Sequence, residues 1–436
     1  MSLDGVFAAS HARRLLAELG RDDVSVTGDG DHPALAWRRS GLMEICGLAG
    51  GAGLLCPAAL ATAADGALLA LKALVENPRA LPTNGALLLG ERARLMGLRR
   101  AGRTSPNGSC RLLDAADGRI ALSLPRRDDW GLLGPLFESE DISDWPGVTA
   151  ALRERSAQDI VTRGIELGLA IALDRAPVAT TRVFENYARV RAPSSGSPLV
   201  VDLASLWAGP LAASLLSMAG ARVIKIESRS RPDAARLGHA GFYDLLNERK
   251  QCIALSFDDP ADTRMLASLI DAADIVIEGS RPRALRQLGI DRDRVVAKGA
   301  TWVGITGHGG SGDAAGRIGF GDDAAVAAGL STVMERGWGT PLLAGDAIAD
   351  PLTGLYAALG AWAGWSGGGR CLIDLSLRQS VAHSMSAGLA DHDELQRWQS
   401  RAEADEEPYY PLRSALSRAR PLGADTAAVL ASCARG

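Results

Sequence analysis

The segment Leu199 to Glu227, LVVDLASLWAGPLAASLLSMAGARVIKIE, decides the fold. Leu199-Val-Val-Asp-Leu203 is an apolar run suited to a buried strand. Ala208-Gly-Pro210 follows as a turn, Leu211 to Gly220 has a helical pattern, and Arg222-Val-Ile-Lys-Ile-Glu227 again reads as a strand. The alternation continues downstream with strands at Ile253-Ala-Leu255, Ile275-Val-Ile-Glu278 and Thr301-Trp-Val-Gly-Ile-Thr306, and a helix from Asp262 to Ala273. Gly367-Gly-Gly369 forms a turn before a further strand, Cys371-Leu-Ile-Asp-Leu375. Strands and helices of these lengths predict an α/β fold, with a Rossmann-like, mostly parallel sheet covered on both faces. Ligands of such sheets sit at the carboxyl ends of the strands.

Working upstream, the polar segment Arg191-Ala-Pro-Ser-Ser-Gly-Ser-Pro198 marks a linker. Before it, residues 104–190 read as a smaller α+β domain placed N-terminal to the sheet domain. That domain has a strand around Gly118-Arg-Ile-Ala-Leu-Ser-Leu124, a helix from Asp144 onward and a helical stretch from Leu152 to Ala172. Residues 1–103 are helix-rich, the sheet domain spans 199–395, and 396–436 reads as a C-terminal tail. An internal similarity crosses these boundaries. Residues 41–73 lie over residues 329–361 at a constant offset of 288, with eleven identities, which suggests that the helix-rich segment is a degenerate copy. Asp350 in the second copy faces Thr62 in the first, so one copy carries a carboxylate and the other does not.

Composition narrows the function. The 436 residues are 47% apolar and 22% charged, ordinary values for a globular chain. Lys+Arg 47 against Asp+Glu 51 gives a net charge of -4, which removes the broad basic field expected of a nucleic-acid-binding protein. Six scattered cysteines without a Cys-x-x-Cys pair fit a reducing cytoplasm. The apolar stretch from Ile45 to Leu74 is broken by Pro57 and Asp65, so neither a membrane span nor an export signal is expected.

Asp350, in Ala347-Ile-Ala-Asp350-Pro-Leu-Thr-Gly354, precedes a Gly/Ala-rich helical run. Asp followed by Pro is the pattern of a helix N-cap, and a carboxylate at a helix N-terminus is also held ionised and oriented, as a nucleophile should be. Ser205-Leu-Trp-Ala-Gly-Pro210 stands where a dinucleotide fold places its phosphate loop, without the G-x-G-x-x-G spacing. Glu227 stands where such folds hold a ribose hydroxyl. Basic residues cluster at the predicted strand ends, among them Lys225, Arg229, Arg236, Lys250, Arg281 and Arg286, and two or three of them are expected to touch an anionic ligand. The six histidines have no metal-binding spacing. His308, on a glycine loop, is a candidate acid/base but reads as exposed and incidental.

These segments, in this order, resemble the class III coenzyme A transferase family, which includes formyl-CoA and carnitine CoA transferases and α-methylacyl-CoA racemases. The match runs through Val201-Asp-Leu203, Ala208-Gly-Pro210, Ala221 to Glu227, Asn247-Glu-Arg-Lys250, Ala273 to Glu278, Arg281-Pro282, Ile305-Thr-Gly307 and Ile348 to Gly354, with a weaker closing motif, Arg420-Pro-Leu-Gly-Ala-Asp-Thr426. The resemblance implies that Asp350 attacks an acyl-CoA thioester to give a mixed anhydride. It also implies that Leu206, Trp207 and Ala208 line the adenine end of CoA and that Lys250 lies near the diphosphate; Arg281 and Arg286 complete the candidate CoA contacts. CoA is then a substrate, exchanged between an acyl-CoA and a carboxylic acid. No permanently bound cofactor and no metal are implied, and the assembly is a homodimer, interlocked in family members.

The chain departs from that pattern in three places. The family's R-L-G reads Gln287-Leu288-Gly289 here, with Arg286 one place early. The Gly-His-Asp of the racemases reads Gly319-Phe320-Gly321, which removes a proton-transfer group unless His308 substitutes. The small domain precedes the sheet domain, where family members carry it after the catalytic helix. Two alternatives to CoA transfer follow: an acyl-CoA racemase or isomerase, and a CoA-binding pseudoenzyme whose partner supplies catalysis.

Overall fold

The structure, a computed structural model, describes residues 8–139, 142–185, 196–280 and 283–433. Arg191 to Ser195 of the expected linker lie outside the described residues. Two sheets form the framework. A small antiparallel sheet joins β1 (Cys110–Asp114), β2 (Arg119–Ser123) and β3 (Ala170–Leu173) in that order. The large sheet holds β4 (Leu199–Asp202), β5 (Arg222–Ser228), β6 (Gln251–Leu255), β7 (Ile275–Glu278), β8 (Thr301–Thr306) and β9 (Cys371–Ser376). Its spatial order is β6-β5-β4-β7-β8-β9, parallel throughout. In order of appearance this is 3-2-1-4-5-6, the doubly wound arrangement, whose strand order reverses between β4 and β7.

Alternation along each strand feeds two cores. Val200 faces one and Val201 the other, and Ile275 and Ile277 oppose Val276 in the same way. On the first face lie α1 (Ala8–Glu18), α2 (Leu60–Leu74) and α3 (Gly85–Met96) from the upstream half. With them pack α4 (Ala208–Met218), α5 (Ala349–Ser366) and α6 (Leu377–Met385) from the downstream half. A single apolar core therefore runs from the helix-rich segment into the sheet, and α5 packs against α2 and α4 together. The second core joins the sheet to the helix Pro260–Asp271.

Two local expectations change. The stretch from Leu152 to Ala172 does not continue as a helix: the helix Ala157–Glu166 ends, and Ala170–Leu173 becomes β3. Gly168 at φ 80° turns the chain, and the all-apolar Ala-Ile-Ala-Leu pairs with β2. The closing residues are also bound down. The helix His392–Glu403 runs across the expected boundary at 395, and the Tyr410 N–H donates to the Arg39 carbonyl. Asp425 and Thr426 accept the amides of Cys252 and Ala254 at 2.9 and 3.1 Å, covering the outer edge of β6. No helix among the described residues is long and apolar enough to cross a membrane.

Candidate active site

The site lies where the sheet order reverses, and buried charge shapes the turn after β4. Lys250 Nζ donates to Asp202 Oδ2 at 2.8 Å and to the Pro210 carbonyl at 2.9 Å. Lys225 Nζ donates to the Ala204 carbonyl at 2.8 Å and pairs with Asp233 Oδ2 at 3.0 Å. Asp233 in turn accepts the Leu206 N–H at 3.0 Å. The two lysines thus hold both ends of the 202–210 turn from beneath. Leu206 takes a left-handed φ of 70°, unusual for a side-chain-bearing residue. A β-carbon on Gly209 would collide with that of Ala204, so glycine is required where α4 starts against the turn.

Several residues of the basic cluster are therefore engaged inside the protein. Lys250 is buried, burial pulls its ammonium down to about 8 against the opposing charge of Asp202, and it acts as a strut. Arg236 holds Glu227 through two nitrogens, Nε and Nη2. Carboxylates at buried strand ends need cationic partners before any ligand arrives. Arg286 is exposed on the short helix Arg283–Gln287, and Arg281 lies outside the described residues. Leu206 is exposed, whereas Trp207 is buried with its ring edge-on to Phe242 at 5.2 Å. Ala208 opens α4, and its N–H donates to the carboxylate of Asp350.

Asp350 is not the N-cap of α5. Ile348 holds that position and Asp350 is the second helical residue, which frees its half-buried carboxylate to meet α4. Gly321 is essential to this approach, since a β-carbon there would collide with Asp350 Oδ2 and the Ala347 carbonyl. The preceding bend is held at Ala347, whose φ is 46°, and its N–H donates to Asp322 Oδ1 at 2.8 Å. Such left-handed backbone costs on the order of 1–2 kcal/mol, and both non-glycine cases at this site, Leu206 and Ala347, lie on the two segments that meet at Asp350.

Around Asp350 gather Asp322, Asp323 and Asp346, all buried. Asp346 receives two bonds of 2.7 Å from Arg92 and one of 2.8 Å from Asn107 Nδ2. Asp323 Oδ1 accepts from Ser123 Oγ at 3.0 Å and from the Phe320 N–H at 2.9 Å. The arrangement is not a metal-binding group. Burial raises the Asp350 carboxyl to about 7, with Arg92 opposing the rise and Asp323 and Asp346 adding to it. Burial raises Asp322 to about 7 as well, reinforced by Asp346. A carboxylate poised near neutrality at the switch point has the properties of a nucleophile or an acid/base.

His308 departs from its expected exposure. It is buried, with Nε2 3.4 Å from Asp323 Oδ2, because Gly307 and Gly319 pack closely around it. Thr62, the counterpart of Asp350, lies near the start of α2, but Ala59 is the N-cap and the Thr62 hydroxyl has no hydrogen-bond partner. Sequence reasoning missed Arg92, Asn107, Asp322, Asp323 and Asp346. The adjacent acids in Gly321-Asp-Asp-Ala-Ala-Val-Ala327 were a usable signal, since acids in an apolar run are costly unless paired.

Residues 198–417 match CoA-transferase family III. The succinyl-CoA:glutarate CoA-transferase of Homo sapiens is 28% identical over 216 residues, covering 46% of this chain and 49% of the relative. The succinate–glutarate CoA-transferase of Agrobacterium fabrum is 26% identical over 217 residues, covering 46% and 50%. The chain spans about half the length of the curated relatives it matches. A crystal structure of a CaiB/BaiF family protein from Brucella suis aligns at 22% identity with a TM-score of 0.38, over 49% of this chain and 58% of that one.

Proposed function

Because the chain belongs to CoA-transferase family III, we propose that it moves CoA between an acyl-CoA and a free carboxylic acid with Asp350 as nucleophile. The observation that carries this reading is the placement of Asp350. Its half-buried carboxylate meets the first amide of α4 at the reversal of the strand order, on a turn whose outer residue, Leu206, is open to solvent.

The steps balance without an external reagent. An Asp350 oxygen attacks the thioester carbonyl, the C–S bond breaks, and an acyl-aspartyl anhydride forms with CoA thiolate released. The thiolate attacks the aspartyl carbonyl, giving an enzyme thioester and the first free acid. The acceptor carboxylate then attacks that thioester to form a new anhydride, and the thiolate attacks its acyl carbon. The products are a new acyl-CoA and free Asp350. The Ala208 amide orients the attacking carboxylate, and Leu206 presents an apolar edge for the nucleotide end of CoA. A cytoplasmic homodimer belongs to the same reading; Cys46, Cys56, Cys110 and Cys252 are free and buried, which suits a reducing compartment.

The test is intact-protein mass spectrometry after incubation with succinyl-CoA and hydroxylamine, with Asp350→Asn as control. An adduct mapping to Asp350 and CoA exchange into glutarate are expected. Transfer that persists at near-normal rate in Asp350→Asn would refute the mechanism, because losing a covalent nucleophile costs about 10⁴-fold or more.

A further inference from the structure

Arg92 stands on α3, outside residues 198–417, in the part of the chain that the family does not match. Its Nε and Nη2 each donate to Asp346 at 2.7 Å, the two-point geometry that a guanidinium makes with a carboxylate. On another side its guanidinium carbon lies 4.3 Å from the centre of the Trp207 ring. Asp346 is four residues before Asp350, and Trp207 immediately precedes Ala208, the amide donor to Asp350. One side chain therefore touches both segments that set the nucleophile: the bend before α5 and the turn before α4. Asn107, also upstream, adds a third bond to Asp346.

Resting on the reading of Asp350 as nucleophile, we infer that Arg92 is a positioning residue for it: the upstream half completes the site by clamping Asp346 and Trp207 and by placing a positive charge beside the acidic cluster. The groups facing Asp350 are Arg92 from α3, Asp346 from the preceding bend, Asp322 and Asp323 from the helix Gly321–Ala327, and, behind Asp323, His308. Asp323 and Asp346 disfavour a further negative charge on Asp350, and Arg92 opposes them.

The experiment uses the full chain and the variants Arg92→Gln and Arg92→Lys, with succinyl-CoA and glutarate as probes. Arg92→Gln is expected to lower kcat by about 100-fold, the cost of a small misplacement, and to move the acidic limb of the kcat profile to higher pH, with KM for succinyl-CoA changed much less. Arg92→Lys keeps the charge without the two-point grip, so the limb should stay while kcat falls. An unmoved limb in Arg92→Gln would overturn the inference. A second measurement does not depend on turnover: thermal unfolding of Arg92→Gln, Asp350→Asn and the double variant. At about pH 8.5 the Tm loss from Arg92→Gln should be smaller in the Asp350→Asn background, and at about pH 5.5 the two backgrounds should agree. Additive losses at both pH values would overturn the inference. Absence of wild-type exchange with succinyl-CoA and the other acyl-CoAs of a broad panel would sink the transferase reading instead, and the unfolding cycle would still decide the place of Arg92.

Discussion

Trp362 Nε1 donates to the backbone carbonyl of Leu74 at 3.1 Å, across the contact between α5 and α2. The two residues are 288 positions apart, the offset at which residues 329–361 lie over residues 41–73. The bond therefore joins the residues that immediately follow the two similar stretches, and it ties the upstream helix to the one that carries Asp350. Trp362→Phe keeps an aromatic ring against Trp365 and removes the donor. Urea unfolding should show a loss of about 1 kcal/mol; no loss would mean that the Leu74 carbonyl gains nothing from the bond.

Thr62 and Asp350 stand at equivalent positions of the two similar stretches, residues 41–73 and 329–361, and should behave in opposite ways. The buried hydroxyl of Thr62 lacks a hydrogen-bond partner and does not cap its helix. Thr62→Val keeps the shape and removes an unsatisfied group, so stability should be unchanged or rise by about 1 kcal/mol, and turnover should persist. Loss of turnover in a well-folded Thr62→Val would show that the upstream copy takes part in the chemistry.

The raised carboxyl of Asp350 fixes the sign of a pH effect. Its folded value of about 7 lies above the ordinary value of 3.8, so between these values the folded state binds more protons than the unfolded one. Stability therefore falls as pH rises through that window, and the cost of the ionised carboxylate is fully present above about pH 7. Asp350→Asn removes the cost. Its Tm should exceed that of the parent at pH 8 by more than it does at pH 4. An equal or lower Tm at pH 8 would mean that Ala208 and Arg92 outweigh desolvation.

Asp350 was legible in the sequence because its motif is local, and so were β4, α4 and β5, whose periodicity switches between strand and helix within one segment. The N-terminal partners were not. Arg92 and Asn107 meet Asp346 across more than 200 residues, and nothing in the helical pattern of Gly85–Met96 distinguishes Arg92 from a surface arginine. His308 was misread for the same reason, since a glycine loop reads as exposed until a second glycine, Gly319, is folded against it. The basic cluster was visible as charge, but the sequence did not reveal that buried Asp202, Glu227 and Asp233 already occupy Lys250, Arg236 and Lys225.

Lys250 separates a strut from a CoA contact. As a strut, it neutralises Asp202 and ties β4 to the Pro210 carbonyl. Lys250→Met should then destabilise the fold by about 3–5 kcal/mol, because it strands a buried carboxylate. Lys250→Met combined with Asp202→Asn should recover most of that loss, since the stranded charge is gone. CoA affinity by calorimetry should be near the parent value in the folded double variant, because the ammonium is turned away from solvent. If the double variant is stable yet binds CoA many-fold more weakly, Lys250 contacts the diphosphate after all, and the Asp202 pair must open when CoA binds.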